Sequence, residues 1–314
     1  MSMNVFVTGG AGFIGSHIVD RLIDEGNSVT VYDNLSSGKR DFIKHHLGDN
    51  KFTFIKADLI DNKKITKAIA GHDVVFHIAA NPDVRMGVQQ PSIAKKDILA
   101  TYNLLDAMRE NDTKKIVFSS SSVIYGETPP FPLPEDYGPL LPISVYGAAK
   151  LAAEGLISSF CHTFDMQGWI YRFANVVGER GTHGVIVDFI NKLRKNPNEL
   201  EILGDGKQKK PYLDVKDTVD GMFFGFERAN EQINLFNLGC DTTTEVTRIA
   251  ELVVEEMGLQ NVKFKYTGGK RGWKGDVPHF QFKVDKIGKI GWKAKYSSDK
   301  VIKKAIRDVL EANI

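Results

Sequence analysis

Residues 7 to 17 read "VTGGAGFIGSH", a glycine triplet at positions 9, 12 and 15 lodged between an apolar run and an amphipathic one. Gly9 permits a tight turn, Gly12 lets the backbone come close to a pyrophosphate, and Gly15 lets the following helix pack against the strand. The helix that starts there points the unpaired N–H groups of its first turn, those of Phe13 and Ile14 among them, at such an anion. The next apolar run, "SVTVYD", closes on Asp33, 18 residues after Gly15. A carboxylate at that spacing can accept from both hydroxyls of a ribose and repels a 2′-phosphate, so NAD is expected rather than NADP. Lys39 and Arg40 weaken that preference slightly.

The rhythm around this turn sets the fold class. "NVFVTG", "SVTVYD", "FTFIKAD", "DVVFHIAA" and "KKIVFSS" are short apolar runs, each followed by a helical pattern. Continuous apolar runs joined by helices imply a parallel sheet covered on both faces, a doubly wound, Rossmann-like α/β domain. In "SHIVDRLIDEG" the spacing puts Ile18, Val19, Leu22 and Ile23 on one helical face and Gly26 at the C-terminus. From about residue 176 glycine, proline and basic residues crowd the loops, while "QGWIYRFANVV" and "NLFNLG" still read as core strands. The expected layout is an NAD-binding domain over residues 1–175, to which later strands return. A smaller, partly interleaved substrate lobe covers residues 176–314.

Lys plus Arg (41) and Asp plus Glu (39) nearly balance, which gives no electrostatic footprint for nucleic acid. The start of the chain passes straight into a strand pattern, and no apolar stretch approaches bilayer-spanning length, so a cytoplasmic protein without membrane contact is expected. Cys161 and Cys240 stand far apart without ligand-spaced neighbours. Packing roles are expected for both, and no metal.

A second constellation follows. "SSSSVIYG" closes the fifth apolar run, and the helical stretch "PISVYGAAK" carries Tyr146 and Lys150 four residues apart, hence on one face. A neighbouring ammonium favours the phenolate of a tyrosine, which can then take a proton from a substrate hydroxyl. Asp58, at the end of the third run, could meet an adenine amino group or cap the next helix.

Taken in order, "TGGAGFIG", "YDNLSSG", "ADLID", "HIAA", "SSSSVIYG", "PISVYGAAK", "RFANVVGERG", "LEILGDG" and "RGWKGDVP" resemble the extended short-chain dehydrogenase/reductase family, in its nucleotide-sugar epimerase branch. The resemblance runs from Met3 to about Trp292. It implies bound NAD, with Tyr146 as general acid/base and Lys150 on the nicotinamide ribose while tuning the tyrosine. It extends the cofactor set to Asn34, Leu59 and Ala79 and puts Arg85 in a loop near the cofactor. The functional hydroxyl falls on Ser121. Ser122 stands where dehydratase and decarboxylase branches are expected to carry an acid, and Ser119 and Ser120 are expected to satisfy backbone groups at the strand end.

On the substrate side the resemblance implies that Asn175 donates to a diphosphate and that Lys210, in place of a usual arginine, and Arg271 supply positive charge. Phe280 flanks the hexose, where a bulky ring disfavours an N-acetyl group. Asp97 replaces a frequent asparagine and Lys283 a frequent aspartate. The implied activity is reversible 4-epimerisation of a UDP-hexose, UDP-glucose or UDP-galactose, through a transient 4-keto sugar and bound NADH. A 4-ketoreductase and a non-catalytic dinucleotide sensor are the rivals. Helical stretches 92–111 and 145–164 carry more apolar surface than one sheet face needs, and the resemblance implies that they pair in a homodimer.

Overall fold

The computed structural model describes residues 2–81, 85–127 and 132–312. The first half alternates as the apolar runs require. In chain order come β1 (Asn4–Thr8), α1 (Phe13–Asp24), β2 (Ser28–Asp33), β3 (Phe52–Lys56), α2 (Asn62–Ala68), β4 (Val74–His77), α3 (Met86–Gln89), α4 (Ser92–Glu110), β5 (Lys115–Ser121), α5 (Val145–Thr163) and β6 (Gln167–Phe173). There follow β7 (Asn175–Val177), α6 (Val185–Lys195), β8 (Glu199–Ile202), β9 (Lys209–Lys210), β10 (Tyr212–Asp214), α7 (Val215–Arg228), β11 (Ile233–Leu238), β12 (Thr244–Glu245), α8 (Val246–Glu256), β13 (Lys263–Tyr266), α9 (Asp285–Lys289) and α10 (Ser298–Glu311).

Seven strands form one sheet in the order β11, β6, β5, β4, β1, β2, β3. The pairs around β1 are parallel, and their register sets Thr8 beside His77 and His77 beside Phe118. The C-terminal ends of β1, β4 and β5 therefore lie in one row, on either side of the point where the strand order reverses. Ligands of open α/β sheets bind in the crevice at such a point.

The local causes are visible in the residues. β1 has Val5, Phe6, Val7 and Thr8 buried, as a strand covered on both faces must. Helix α1 buries Ile18, Val19 and Leu22, each contributing about 1.5–3 kcal/mol of apolar transfer. It ends where Gly26, at φ +84°, lets its N–H reach the Ile23 carbonyl at 2.8 Å. Ser144 starts α5 by accepting from the Gly147 N–H at 3.0 Å.

The chain folds into two compact units and alternates between them. The first comprises residues 1–124, 144–172 and 222–236, and the second residues 125–143, 173–221 and 237–314. A linear cut near residue 175 does not describe this, because the segment before α5 joins the second unit while the second half of α7 and most of β11 join the first. In the first, α4 and α5 pack Leu104, Leu105, Met108, Ala153 and Ile157 against Phe118 and Ile170. The second has a separate core in which α6, α8 and α10 bury Phe189, Ile249, Val253, Ile302 and Ile306. No described helix is long and apolar enough to cross a membrane.

Candidate active site

The glycine turn leaves β1 at Gly9, whose φ of +70° and closeness to the chain after β4 exclude any side chain. A Cβ there would lie 2.6 Å from the Ala79 nitrogen. At Gly15 a Cβ would meet the Gly9 carbonyl oxygen at 2.1 Å, so the helix packs directly on the turn. Gly12 differs. A Cβ there would approach the Gly9 oxygen alone, at 3.1 Å, so the backbone faces open space. Among the described residues no side chain caps α1, which leaves its first N–H groups to an anion. These features fit a dinucleotide's pyrophosphate.

Asp33 is buried at the end of β2. Its Oδ2 accepts from the Ala11 N–H at 3.0 Å and its Oδ1 from the Leu35 N–H at 2.8 Å. Burial raises its pKa against the pull of these two donors. Each oxygen keeps a lone pair, so the carboxylate is held in place and can still accept from a ribose. Asn34 donates to Asp58 Oδ2 at 3.0 Å, as does Lys96 at 3.0 Å, while Asp58 Oδ1 accepts from the Ile60 N–H at 3.1 Å. Partial desolvation is outweighed by these donors, and the Asp58 pKa falls. Helix α2 is capped instead by Asp61, which accepts from the Lys64 N–H, so the capping alternative for Asp58 fails. Leu59 is buried in the first core.

Three of the four serines, Ser119 to Ser121, lie on β5 and divide as its alternation dictates. Ser119 donates to the His77 carbonyl at 3.4 Å. Ser120 departs from the expected backbone role: it donates to the Glu154 carboxylate at 2.5 Å. Glu154 in turn receives Arg172 through Nε at 3.1 Å and Nη2 at 2.8 Å, a bidentate pair in which both side chains are buried. Ser121 shares a hydrogen bond with the Tyr146 hydroxyl. The hydroxyl assigned to chemistry is therefore the one that meets the tyrosine.

Lys150 lies one turn after Tyr146 on α5, buried at 5 % exposure. Its Nζ donates to the Ser119 carbonyl at 2.6 Å and sits 4.7 Å from the Phe118 ring centroid, against 5.9 Å from that of Tyr146. Burial lowers its pKa to about 8, although the negative charges of Asp97 and Glu154 oppose the fall. Among the described residues its ammonium forms no ion pair. Tyr146 moves the other way: burial and then the Asp97 charge raise the phenol well above its ordinary value, and the Ser121 bond only partly offsets them. In the protein alone, Lys150 does not bring the tyrosine to a phenolate.

Two participants escape sequence reading. Asp97 on α4, its Oδ2 accepting from the Asn81 N–H at 3.3 Å, acts electrostatically on both Tyr146 and Lys150. Desolvation raises its own pKa. Its replacement of a frequent asparagine was the available signal. His77 is the other. Ala79 N–H donates to Thr8 Oγ1, which bonds His77 Nδ1 at 2.8 Å, while His77 Nε2 bonds Thr101 Oγ1 at 3.1 Å and Thr101 donates to the Asp97 carbonyl. With both hydroxyl directions set by their other partners, the imidazole carries its proton on Nε2. Burial and the Lys150 charge push its pKa down to about 3, so it stays neutral. It is a strut beneath the turn.

The second unit holds the expected substrate-side residues differently. Asn175 on β7 is hydrogen-bonded with the buried Tyr212. Lys210 does not present a free cation: its Nζ meets Asp276 Oδ1 at 2.6 Å, with side chains 13 % and 2 % exposed. Asp276 Oδ2 also accepts from the Gly272 N–H at 3.1 Å, so one carboxylate holds the 271–276 loop. Arg271 pairs with Glu127 and donates to the Asp276 carbonyl at 3.1 Å, but stays partly exposed. Phe280 is 6 % exposed and packs on Phe282 at 5.4 Å. Lys283 pairs with Asp285 at 3.5 Å on the surface. Cys161 and Cys240 are buried and unpaired with each other.

A glycine turn poised for a pyrophosphate, beside a tyrosine and a buried lysine at the same sheet edge, is the arrangement of a dinucleotide-dependent enzyme. Residues 5–239 match the model of the NAD dependent epimerase/dehydratase family, and the chain belongs to that family. A Methanocaldococcus jannaschii relative, provisionally named a UDP-glucose 4-epimerase, is 34 % identical over 96 % of this chain and 97 % of its own. A crystal structure of a UDP-galactose 4-epimerase superposes with a TM-score of 0.88 at 39 % identity, covering 99 % of both chains. The UDP-N-acetylglucosamine 4-epimerase from Methanobrevibacter ruminantium matches with a TM-score of 0.88 at 31 % identity over 99 % of both.

Proposed function

We propose that this chain interconverts UDP-glucose and UDP-galactose at the 4-position, with NAD at the glycine turn. The observation that carries the reading is the Ser121–Tyr146–Lys150 cluster beside that turn in a member of this family. In this reading Gly9, Gly12, Phe13, Ile14 and Gly15 hold the pyrophosphate, Asp33 and Asn34 the adenosine ribose, Asp58 and Leu59 the adenine, and Ala79 the wall beside the turn. Lys150 meets the nicotinamide ribose.

Bound NAD would supply a hydride acceptor and donor for C4 of the sugar. Tyr146 takes the 4-hydroxyl proton and gives it back. Ser121 orients that hydroxyl through its bond to the phenol. Because the phenol is held high in the protein alone, it becomes a base only when positive charge joins it, which couples proton removal to a loaded site. Among the described residues the buried Lys150 forms no ion pair, so its charge is left to act there. Ser122, buried where dehydratase and decarboxylase branches are expected to carry an acid, offers no carboxylate for elimination at the neighbouring carbon.

In the second unit, Asn175, Lys210 and Arg271 are the proposed diphosphate contacts, Arg271 being the most accessible and Lys210 acting from within its pair with Asp276. Phe280 is proposed to limit room at the 2-position of the hexose. Leu99 and Tyr102 on α4, exposed at 40 % and 44 %, support a homodimer through α4 and α5. The deciding test is incubation with UDP-glucose, UDP-galactose and their N-acetylated counterparts without added cofactor, read by NMR. Appearance of the C4 epimer of the unacetylated pair is expected. Net consumption of added NAD(P)H in place of epimer would mark a reductase and overturn the reading.

A further inference from the structure

The outer side of the first unit carries a cluster that the proposed reaction leaves unused. Asp20 lies on α1, and His45 and His46 on and beside a single 3₁₀ turn, Lys44–His46. Both imidazoles direct Nε2 at the same carboxylate oxygen, Asp20 Oδ1, at 2.8 and 2.7 Å. All three ligand-capable atoms lie within 4.8 Å of one another. Phe52 packs on the buried His46 ring at 5.5 Å, and His46 packs on His45 at 4.0 Å, so the two rings are held together.

We propose that Asp20, His45 and His46 bind a divalent transition-metal ion of the zinc class. Two imidazole nitrogens and one carboxylate oxygen suit zinc, cobalt, nickel or copper rather than magnesium or calcium, which prefer all-oxygen shells. A tetrahedral ion with ligands about 2.0–2.1 Å away sets them roughly 3.3 Å apart. Opening the present 2.7–2.8 Å contacts by about half an ångström reaches that spacing, and the half-exposed side chain of His45 leaves room for that adjustment. Each ring ligates as the neutral tautomer with Nε2 on the ion and its proton on Nδ1, so a neutral ring that donates through Nε2 shifts its proton to Nδ1 and releases none, and water fills the open fourth position. The ion clips the segment after β2 to α1. That segment is already held at its other end, where the Lys39 N–H donates to the Ala11 carbonyl at 2.9 Å.

The test uses the full-length protein, treated with a chelator and dialysed, then titrated with ZnCl2 by calorimetry and with CoCl2 by visible absorption. One saturable equivalent, a four-coordinate cobalt spectrum and weaker binding at lower pH are expected, since both imidazoles must be neutral to ligate. His45→Ala, at an exposed position, and Asp20→Asn should each weaken Zn2+ binding at least about tenfold. Zn2+ should raise Tm in the wild type and not in His45→Ala. No saturable uptake at about 1 mM Zn2+, or affinity unchanged in both variants, overturns the proposal.

Discussion

Two lysines, Lys150 buried and Lys210 mostly so, set the two units of this molecule apart. Lys150, in the first, donates to a carbonyl, forms no ion pair among the described residues and has its pKa brought down to about 8. Lys210, in the second, is locked at 2.6 Å to Asp276, whose other oxygen pins a loop. A buried charge without a partner is costly, and proteins keep such groups where the instability is useful. A buried charge with a partner is structural first. The contrast says where chemistry is to be sought: at the sheet edge, where Lys150 and Tyr146 are both displaced from their ordinary values in opposite directions. It is less to be sought at Lys210 and Arg271 of the second unit, whose charges are already matched by Asp276 and Glu127.

The largest effect should come from the first unit. Tyr146→Phe removes the proton acceptor and keeps the ring, so kcat should fall by about 10²- to 10⁴-fold while the far-UV spectrum stays unchanged. Near wild-type turnover would break the comparison at once. In the second unit, Asp276→Asn removes the buried half of the pair, leaves the mostly covered Lys210 without its countercharge and should lower stability by up to about 3–5 kcal/mol, measured by urea unfolding. A loss under about 1 kcal/mol would mean that the pair is effectively solvated.

A pH experiment sharpens the contrast. Lys150 has a folded pKa of about 8 against an ordinary value of 10.5, so between these values the unfolded chain binds more protons. Its burial therefore costs least above pH 10.5 and most below pH 8. Stability of the wild type relative to Lys150→Met should rise by roughly 3 kcal/mol from pH 7.5 to 10.5. A difference that does not vary with pH would show that the amine is not desolvated. The smallest effect concerns Asp97. Its negative charge raises both Tyr146 and Lys150, so Asp97→Asn should lower both and move the pH profile of kcat/KM to lower pH. An unmoved profile would remove Asp97 from the site.

The first half of the molecule was legible because its signals are periodic. The apolar runs named β1 to β5, Gly9, Gly12 and Gly15 each do what their spacing requires, and Ser121 meets Tyr146. What stayed hidden there are partners distant in sequence: Glu154 for Ser120, Arg172 for Glu154, Thr8 and Thr101 for His77. The second unit was less legible. Lys210 stands on a two-residue strand and Arg271 in a loop, neither with a period to fix a direction, and nothing local says that Asp276 and Glu127 face them.

Residue order alone determined the βα turn, the doubly wound sheet and the shared Tyr146 and Lys150 face of α5. Each depends on interactions within a few residues or on a repeat of 2 or 3.6, which the chain carries in itself. Tertiary structure decided which charges remain without a countercharge, that the chain crosses between its two units instead of dividing at one point, and that Asp20, His45 and His46 meet at one oxygen. Those outcomes follow from desolvation and from contacts between segments remote in sequence, quantities that exist only once the chain has packed.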